Sequence, residues 1–241
     1  MTWVGQVRLG QGFAVFSGRA DSADLHRHAA YQVILSPTGN VRVSDPAGLE
    51  IGGGTVLIRP NTLHAVRTSG AVTIVYLDLR LPLASELARQ AGPEPIAVLP
   101  DGVPPFMAGL SLDDIAAELM EITQTEAAGT NDRLQAAMTA LDTACGALSI
   151  AKAAQKAGIS DSHLRRLARE QLGLPLSSWL IWRKLERAVS EIANGASLSE
   201  GAVAGGFADQ AHFTREMRRM FGITPGTAEK VLRPRLPAAP A

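Results

Sequence analysis

Residues 132–233 contain the same unit twice, and few folds accommodate that. In the first copy, SIAKAAQKAGISDSHLRRLAREQLG, a short helix ends at Gly158. Ser160 then stands where it can cap a second helix, with Asp161 in the first turn. Leu164 and Leu167 fall on one face of that helix, and Arg165, Arg166 and Arg169 on the other. In the second copy, LSEGAVAGGFADQAHFTREMRRMFG, Gly205 and Gly206 make the turn and a helix begins near Asp209. Phe213 and Met217 turn inward, and Arg215, Arg218 and Arg219 outward, before Phe221-Gly222 ends the helix. Between the copies a long helix is expected from about Pro175 to Ala193, with Pro175 in its first turn. Trp179, Leu180, Trp182, Leu185, Val189 and Ile192 give it apolar faces, and Gly195 closes it. These are helix-turn-helix patterns with basic second helices. Held apart by one helix, the second helices can enter successive major grooves on one face of DNA.

The charges agree with this polarity. The 241 residues carry 23 Lys+Arg against 23 Asp+Glu, but the signs are unevenly placed. Residues 1–131 hold 8 Arg, no Lys and 13 acids, a net of −5; residues 132–241 hold 15 bases and 10 acids, a net of +5. That asymmetry suits a second half that meets a polyanion, although a solvated surface also carries five charges. With 46% hydrophobic residues the chain can bury real cores. No apolar run approaches the ~18 residues of a membrane span. The start, MTWVGQVRLGQ, lacks the basic and apolar stretches of a signal peptide. A single cysteine, Cys145, gives neither an internal disulfide nor a cysteine-rich zinc site. A soluble cytoplasmic protein of two domains is expected.

From Trp3 to about Arg80 short apolar runs recur: FAVF at Phe13–Phe16, YQVIL at Tyr31–Leu35, VRV at Val41–Val43, TVLI at Thr55–Ile58 and VTIVYLDL at Val72–Leu79. SPTGN, SDPAG and GGG separate them, as in an all-β sandwich or barrel. Beyond Leu81 the pattern turns helical. LPLASELARQ makes a short helix that AGPEP breaks. Ser111 can then cap a helix in which Leu112, Ile115, Ala116, Leu119 and Ile122 form a stripe. The stripe can pack on the β domain or on a second subunit. AAGTN at Ala127–Asn131 is the best linker candidate.

Within the β region, His26 and His28 are two apart and point the same way if the strand is extended. Gln32 follows, and His64 comes later in RPNTLHAV. This spacing resembles the cupin metal motif, in which H-x-H, a Glu and a distant His supply ligands from adjacent strands. Here Gln32 stands where that motif has its carboxylate, and Arg59 and Asn61 replace a Pro and a Gly. Asn tolerates the left-handed turn conformation. Three imidazoles suit Zn, Ni, Fe or Cu, with Gln32 as an oxygen ligand or a partner behind the ligands. Without a metal, the same four residues line a polar pocket for a small-molecule effector.

The C-terminal half resembles the AraC/XylS family of transcription regulators. The resemblance rests on LSIAKAAQKAGISDSHLRRLAREQLGLP, WLIWRKLERA and above all GGFADQAHFTREMRRMFGITP. The β region before it resembles the cupin-type effector domain of that family. One departure is Ala228-Glu229, where the family has an aromatic-basic pair; it is expected to loosen the docking of the last helix. The resemblance implies an α+β two-domain protein. Residues 1–82 would be a cupin-like β-barrel that binds the effector, and 83–131 a helical dimerisation and linker segment. Residues 132–233 would be the double helix-turn-helix domain, its units joined by a long helix, and 234–241 a flexible tail. It also implies Ser162, Arg165, Arg166, Arg169, Gln210, Thr214 and Arg215 as DNA contacts, with Arg183 and Lys184 touching the backbone. His163 packs, and Asp209 is an N-cap rather than a base reader.

The expected function is that of a sequence-specific regulator, an activator by resemblance. A small molecule or metal would control it, and its partners would be double-stranded DNA, a second copy of the chain and RNA polymerase. Two alternatives stand beside it: a metal-dependent cupin enzyme fused to a DNA-binding module, and a barrel that serves only for dimerisation. Three His with a Gln is an unusual catalytic set, and no base–nucleophile constellation accompanies it, so no enzymatic activity is expected.

Overall fold

The computed structural model describes residues 3–100, 104, 110–123, 131–144 and 148–232. Cys145, the linker candidate except Asn131, and the tail lie outside the described residues. The N-terminal domain is strand-rich and the C-terminal domain helical.

Among the described residues ten strands form two sheets. Strands β1 (Trp3–Gly10), β2 (Phe13–Ala20), β4 (Tyr31–Leu35), β7 (Thr55–Ile58), β9 (Ala71–Leu77) and β10 (Ile96–Val98) lie in a six-stranded sheet, in the order β1-β2-β9-β4-β7-β10. Strands β3 (Ser22–His26), β5 (Val41–Ser44), β6 (Glu50–Gly53) and β8 (His64–Thr68) make a four-stranded sheet, in the order β3-β8-β5-β6. The strands expected of a cupin-like β-barrel lie in two facing sheets, and among the described residues no strand ladder links one sheet to the other. The chain crosses repeatedly between them, and their inner faces share one apolar core of Phe16, Ile34, Ile58, Ile74, Val43 and Val66.

Alternation decides what faces outward. Val15, Val33, Leu57 and Val75 lie on the opposite face of the six-stranded sheet, where helices α1 (Pro82–Gln90) and α2 (Leu112–Thr123) cover them. The stripe Ile115, Ala116 and Leu119 is buried there, so it packs within the chain. Ser111 caps α2, its hydroxyl accepting from the Asp114 N–H at 3.2 Å.

Helices α3 (Asp132–Thr143), α4 (Ile150–Lys156) and α5 (Asp161–Leu172) form the first helical group. Helices α7 (Leu198–Ala204), α8 (Gln210–Phe221) and α9 (Pro225–Leu232) form the second, and α6 (Leu176–Ala193) lies between them. Trp179 and Trp182 of α6 belong to the core of the first group, and Leu185, Ala188 and Ile192 to that of the second. Local chemistry sets the ends. The Ser160 hydroxyl accepts from the His163 N–H at 3.2 Å, and the Asp209 carboxylate from the His212 N–H at 2.6 Å. Pro175 proves to be the residue before α6 rather than part of its first turn. Nor does Ala228 loosen the last helix. Buried with Pro225 and Val231, it belongs to a core shared with the N-terminal domain.

Candidate functional site

Pairing of β3 with β8 sets His26 opposite His64, with ring centroids 4.2 Å apart. Between Ala23 and His26 the register shifts, and β3 ends at His26. His28 is therefore not on the same strand, as the H-x-H spacing predicts, but in the turn that follows. The turn brings its ring back to 5.0 Å from that of His64. Gln32 on β4 stands opposite Tyr76 on β9, both on the inner face of the six-stranded sheet. Asn61 adopts φ 61°, the left-handed conformation its side chain tolerates, and its N–H donates to the His28 carbonyl at 2.8 Å. That bond fastens the turn before His64 to the turn that holds His28.

All four side chains are buried, none more than 2% exposed. The hydrogen bonds fix their protons. Each imidazole sets its Nδ1 against a backbone carbonyl: His26 on Asp24 at 2.6 Å, His28 on Ala30 at 2.8 Å and His64 on Thr62 at 2.9 Å. A carbonyl only accepts, so each Nδ1 carries the hydrogen and each Nε2 presents a lone pair. Burial holds the rings neutral. It pushes His26 down to about 3 and His64 to about 2, aided by repulsion from the neighbouring imidazoles, and it lowers His28 as well.

The lone pairs converge. Ligand atoms of the three histidines lie within 4.8 Å of one another. The Gln32 Oε1 sits 2.9 Å from the His28 Nε2 and 3.1 Å from the His64 Nε2, an acceptor facing acceptors. Two arrangements relieve this. In one, the amide turns, donates to both rings and accepts from the Tyr76 hydroxyl. In the other, a cation takes the oxygen and the three nitrogens together. Only the second satisfies the His26 Nε2, which is buried and has no hydrogen-bond partner among the described residues. The donor set thus fits a transition-metal ion, with backbone carbonyls fixing each tautomer from behind.

Tyr76 and Trp182 pack on the His28 ring, with Phe221 behind both, and the sequence pattern did not assign them to the cluster. The His28 ring is 5.4 Å from Tyr76 and 6.5 Å from Trp182, and Phe221 lies 5.3 Å from both Tyr76 and Trp182. Tyr76 shares the inward phase of Val72 and Ile74, a signal present in the sequence. Trp182 and Phe221 gave no signal beyond helical apolarity.

The DNA candidates divide. Ser162, Arg166 and Arg169 on α5 are exposed, and so are Gln210 and Arg215 on α8. Arg165 is half-exposed and pairs with Asp161 at 3.0 Å; Arg166 pairs with Glu170 at 2.9 Å. Such exposed pairs are weak and exchange readily for a phosphate. The Thr214 hydroxyl donates to the Gln210 carbonyl at 2.8 Å. Two candidates are engaged inside the fold. Arg183 is bidentate on Asp142 of α3 at 2.8 Å and also binds Glu186. Lys184 donates to the Gly206 carbonyl at 2.7 Å, with its ammonium over the Phe207 ring.

Residues 153–230 match the family model of a helix-turn-helix domain. Over the whole chain the fold is similar to that of ToxT from Vibrio cholerae. An apo Lys-to-Ala variant from strain SCE256 aligns with a TM-score of 0.62 at 10% identity, covering 93% of this chain and 99% of that one. Wild-type ToxT bound to an unsaturated fatty acid gives 0.61 at 9% identity, covering 92% and 96%. A transcriptional regulator from Chromobacterium violaceum, described as an AraC-type DNA-binding domain-containing protein, is 26% identical. It covers 43% of this chain and 94% of its own, with a TM-score of 0.40. No curated protein sequence matches the chain. Among the described residues no helix is long and apolar enough to cross a membrane.

Proposed function

We propose that the chain is a DNA-binding transcription regulator with an AraC-type helix-turn-helix domain, and that its N-terminal domain senses a divalent transition-metal ion held by His26, His28, His64 and Gln32. The observation that carries this reading is three buried histidines whose ligand atoms lie within 4.8 Å of one another, with the Gln32 Oε1 beside the His28 and His64 Nε2 atoms and the His26 Nε2 without a hydrogen-bond partner among the described residues. Burial favours a sensed ion over a catalytic one: none of the four side chains is more than 2% exposed, and Tyr76 and Trp182 pack on the His28 ring. A cleft of about 320 Å³ between the β1–β2 turn and α6, walled by Leu9, Phe13, Trp182, Val189 and Phe221, is the place for an organic effector in the second reading.

In this reading residues 132–233 act as the DNA-binding unit, and α6 sets the spacing between α5 and α8. Ser162, Arg165, Arg166 and Arg169 face one major groove, and Gln210, Thr214 and Arg215 the next. Arg183 and Lys184 hold the unit together instead of contacting phosphate. A second copy of the chain, if it pairs, uses a surface other than the covered stripe of α2. RNA polymerase contact belongs to the same reading.

The test uses the full chain, stripped with chelator and then loaded with Zn²⁺, on a duplex selected from a random pool. Zinc is expected to change affinity for the selected duplex and to leave random DNA nearly unaffected; equal affinity in both states contradicts metal sensing. On the same duplex, Arg215→Ala is expected to cost about 1–3 kcal/mol, with a much smaller loss on random DNA. Equal losses on both duplexes would assign Arg215 to phosphate rather than to a base edge.

A further inference from the structure

The segment that carries two of the proposed ligands also touches both helical groups. Before His28, the Asp24 N–H donates to the Gly222 carbonyl at 3.4 Å, and the Arg27 N–H donates to the Arg219 carbonyl at 3.2 Å. Both acceptors lie at the C-terminal end of α8, where a helix leaves carbonyls without intrahelical partners. After His28, Ala29 and Ala30 are buried in the same core as Leu164 of α5 and Trp179 and Trp182 of α6. The contact at α8 is close. Gly222 has φ 68°, and a Cβ there would stand 2.5 Å from the Asp24 carbonyl oxygen and 3.0 Å from the His26 Nδ1. Only glycine meets both demands, the left-handed backbone and the close approach.

Resting on the metal reading above, we infer that residues 24–30 couple the ion to the DNA-binding unit: closure of His26 and His28 on a metal sets the position of this segment, and with it the placement of α5 relative to α8. The argument is one of connection. Asp24 and His26 touch one end of the second recognition helix, Ala29 and Ala30 enter the core beneath the first, and His28 lies between them. A ligand that binds one placement of this segment better than another shifts the arrangement of both helices. By reciprocity, weakening the segment's contact with α8 must weaken metal binding by the same factor by which metal strengthens that contact.

The experiment is hydrogen exchange on the stripped full chain, with and without one equivalent of ZnCl₂, alongside calorimetric zinc titration of the wild type and Gly222→Ala. The expected result has three parts. Zinc slows exchange of the Asp24 and Arg27 amides, protection extends into α5 and into residues 213–222, and Gly222→Ala binds zinc about fivefold or more weakly. Protection confined to the neighbourhood of the histidines overturns the coupling and leaves the metal site standing. So does unchanged zinc affinity in a folded Gly222→Ala. No zinc uptake by the wild type overturns both readings. Should Gly222→Ala not fold, the wild-type exchange pattern decides alone.

Discussion

Trp182→Ala is expected to destabilise the chain by about 3–5 kcal/mol, the cost of emptying a large aromatic site in a core that only partly collapses. Trp182 is 2% exposed and sits where three parts of the protein meet. Its ring is 5.7 Å from Tyr76 of β9, 5.3 Å from Phe221 of α8 and 6.5 Å from His28. Removal leaves a void bounded by both domains rather than a gap within one helix pair. In urea the midpoint is expected to fall with little change in slope, and the melting temperature to drop by roughly 6–20 °C. Trp182→Phe, which keeps a ring in the site, is expected to recover much of the loss. A loss below about 1 kcal/mol for the alanine variant would mean that the domains do not share this core.

The second large effect concerns Asp78. Its carboxylate is 2% exposed and forks onto Arg80, with Oδ1 accepting from Nε at 2.9 Å and Oδ2 from Nη2 at 3.0 Å. The Arg80 guanidinium in turn lies 5.4 Å from the centroid of the Trp179 ring. Asp78→Ala leaves Arg80 largely buried without its counter-ion, and the expected cost is about 3–5 kcal/mol. Replacing both residues by apolar ones is expected to restore most of that, because the pair is costly chiefly when broken. The pH dependence follows from the same contact. Burial alone would raise the Asp78 pKa; the hydrogen bonds and charge of Arg80 outweigh it and leave the group below its usual value. A depressed carboxylate contributes stability that is complete above its unfolded pKa of about 3.9 and is lost as pH falls through the lower folded value. Urea midpoints are therefore expected to fall from about pH 6.5 downward in wild type and variant alike, as the unfolded chain protonates His26, His28 and His64, while the gap between wild type and Asp78→Ala holds until about pH 4 and then narrows. A variant that matches the wild type at both ends of that range would contradict the role given to the pair.

Much of this was legible in the sequence because it depends on near neighbours. Ser160 and Asp209 reveal helix starts through bonds to residues three positions on, and Gly173 and Gly222 mark the left-handed ends. Short apolar runs between turn residues placed the strands Tyr31–Leu35 and Thr55–Ile58. Three things were not legible, each because a distant partner decides it. The division of the strands into two facing sheets was not legible, since strand pairing across the domain is not written in any one strand. Arg183 reads as an exposed base on a helix until Asp142 of α3 comes against it. The tie between Asp24 and Gly222 joins two ends of the chain, so no local pattern announces that the histidine segment reaches α8.

Calorimetric titration of the chelator-stripped full chain with ZnCl₂ tests the metal centre most directly, with His64→Ala and Gln32→Ala measured in parallel. One ion per wild-type chain is predicted, with binding abolished in His64→Ala and weakened in Gln32→Ala. Absence of zinc uptake by the wild type, or uptake that His64→Ala leaves unchanged, would contradict the assignment of His26, His28, His64 and Gln32 as ligands.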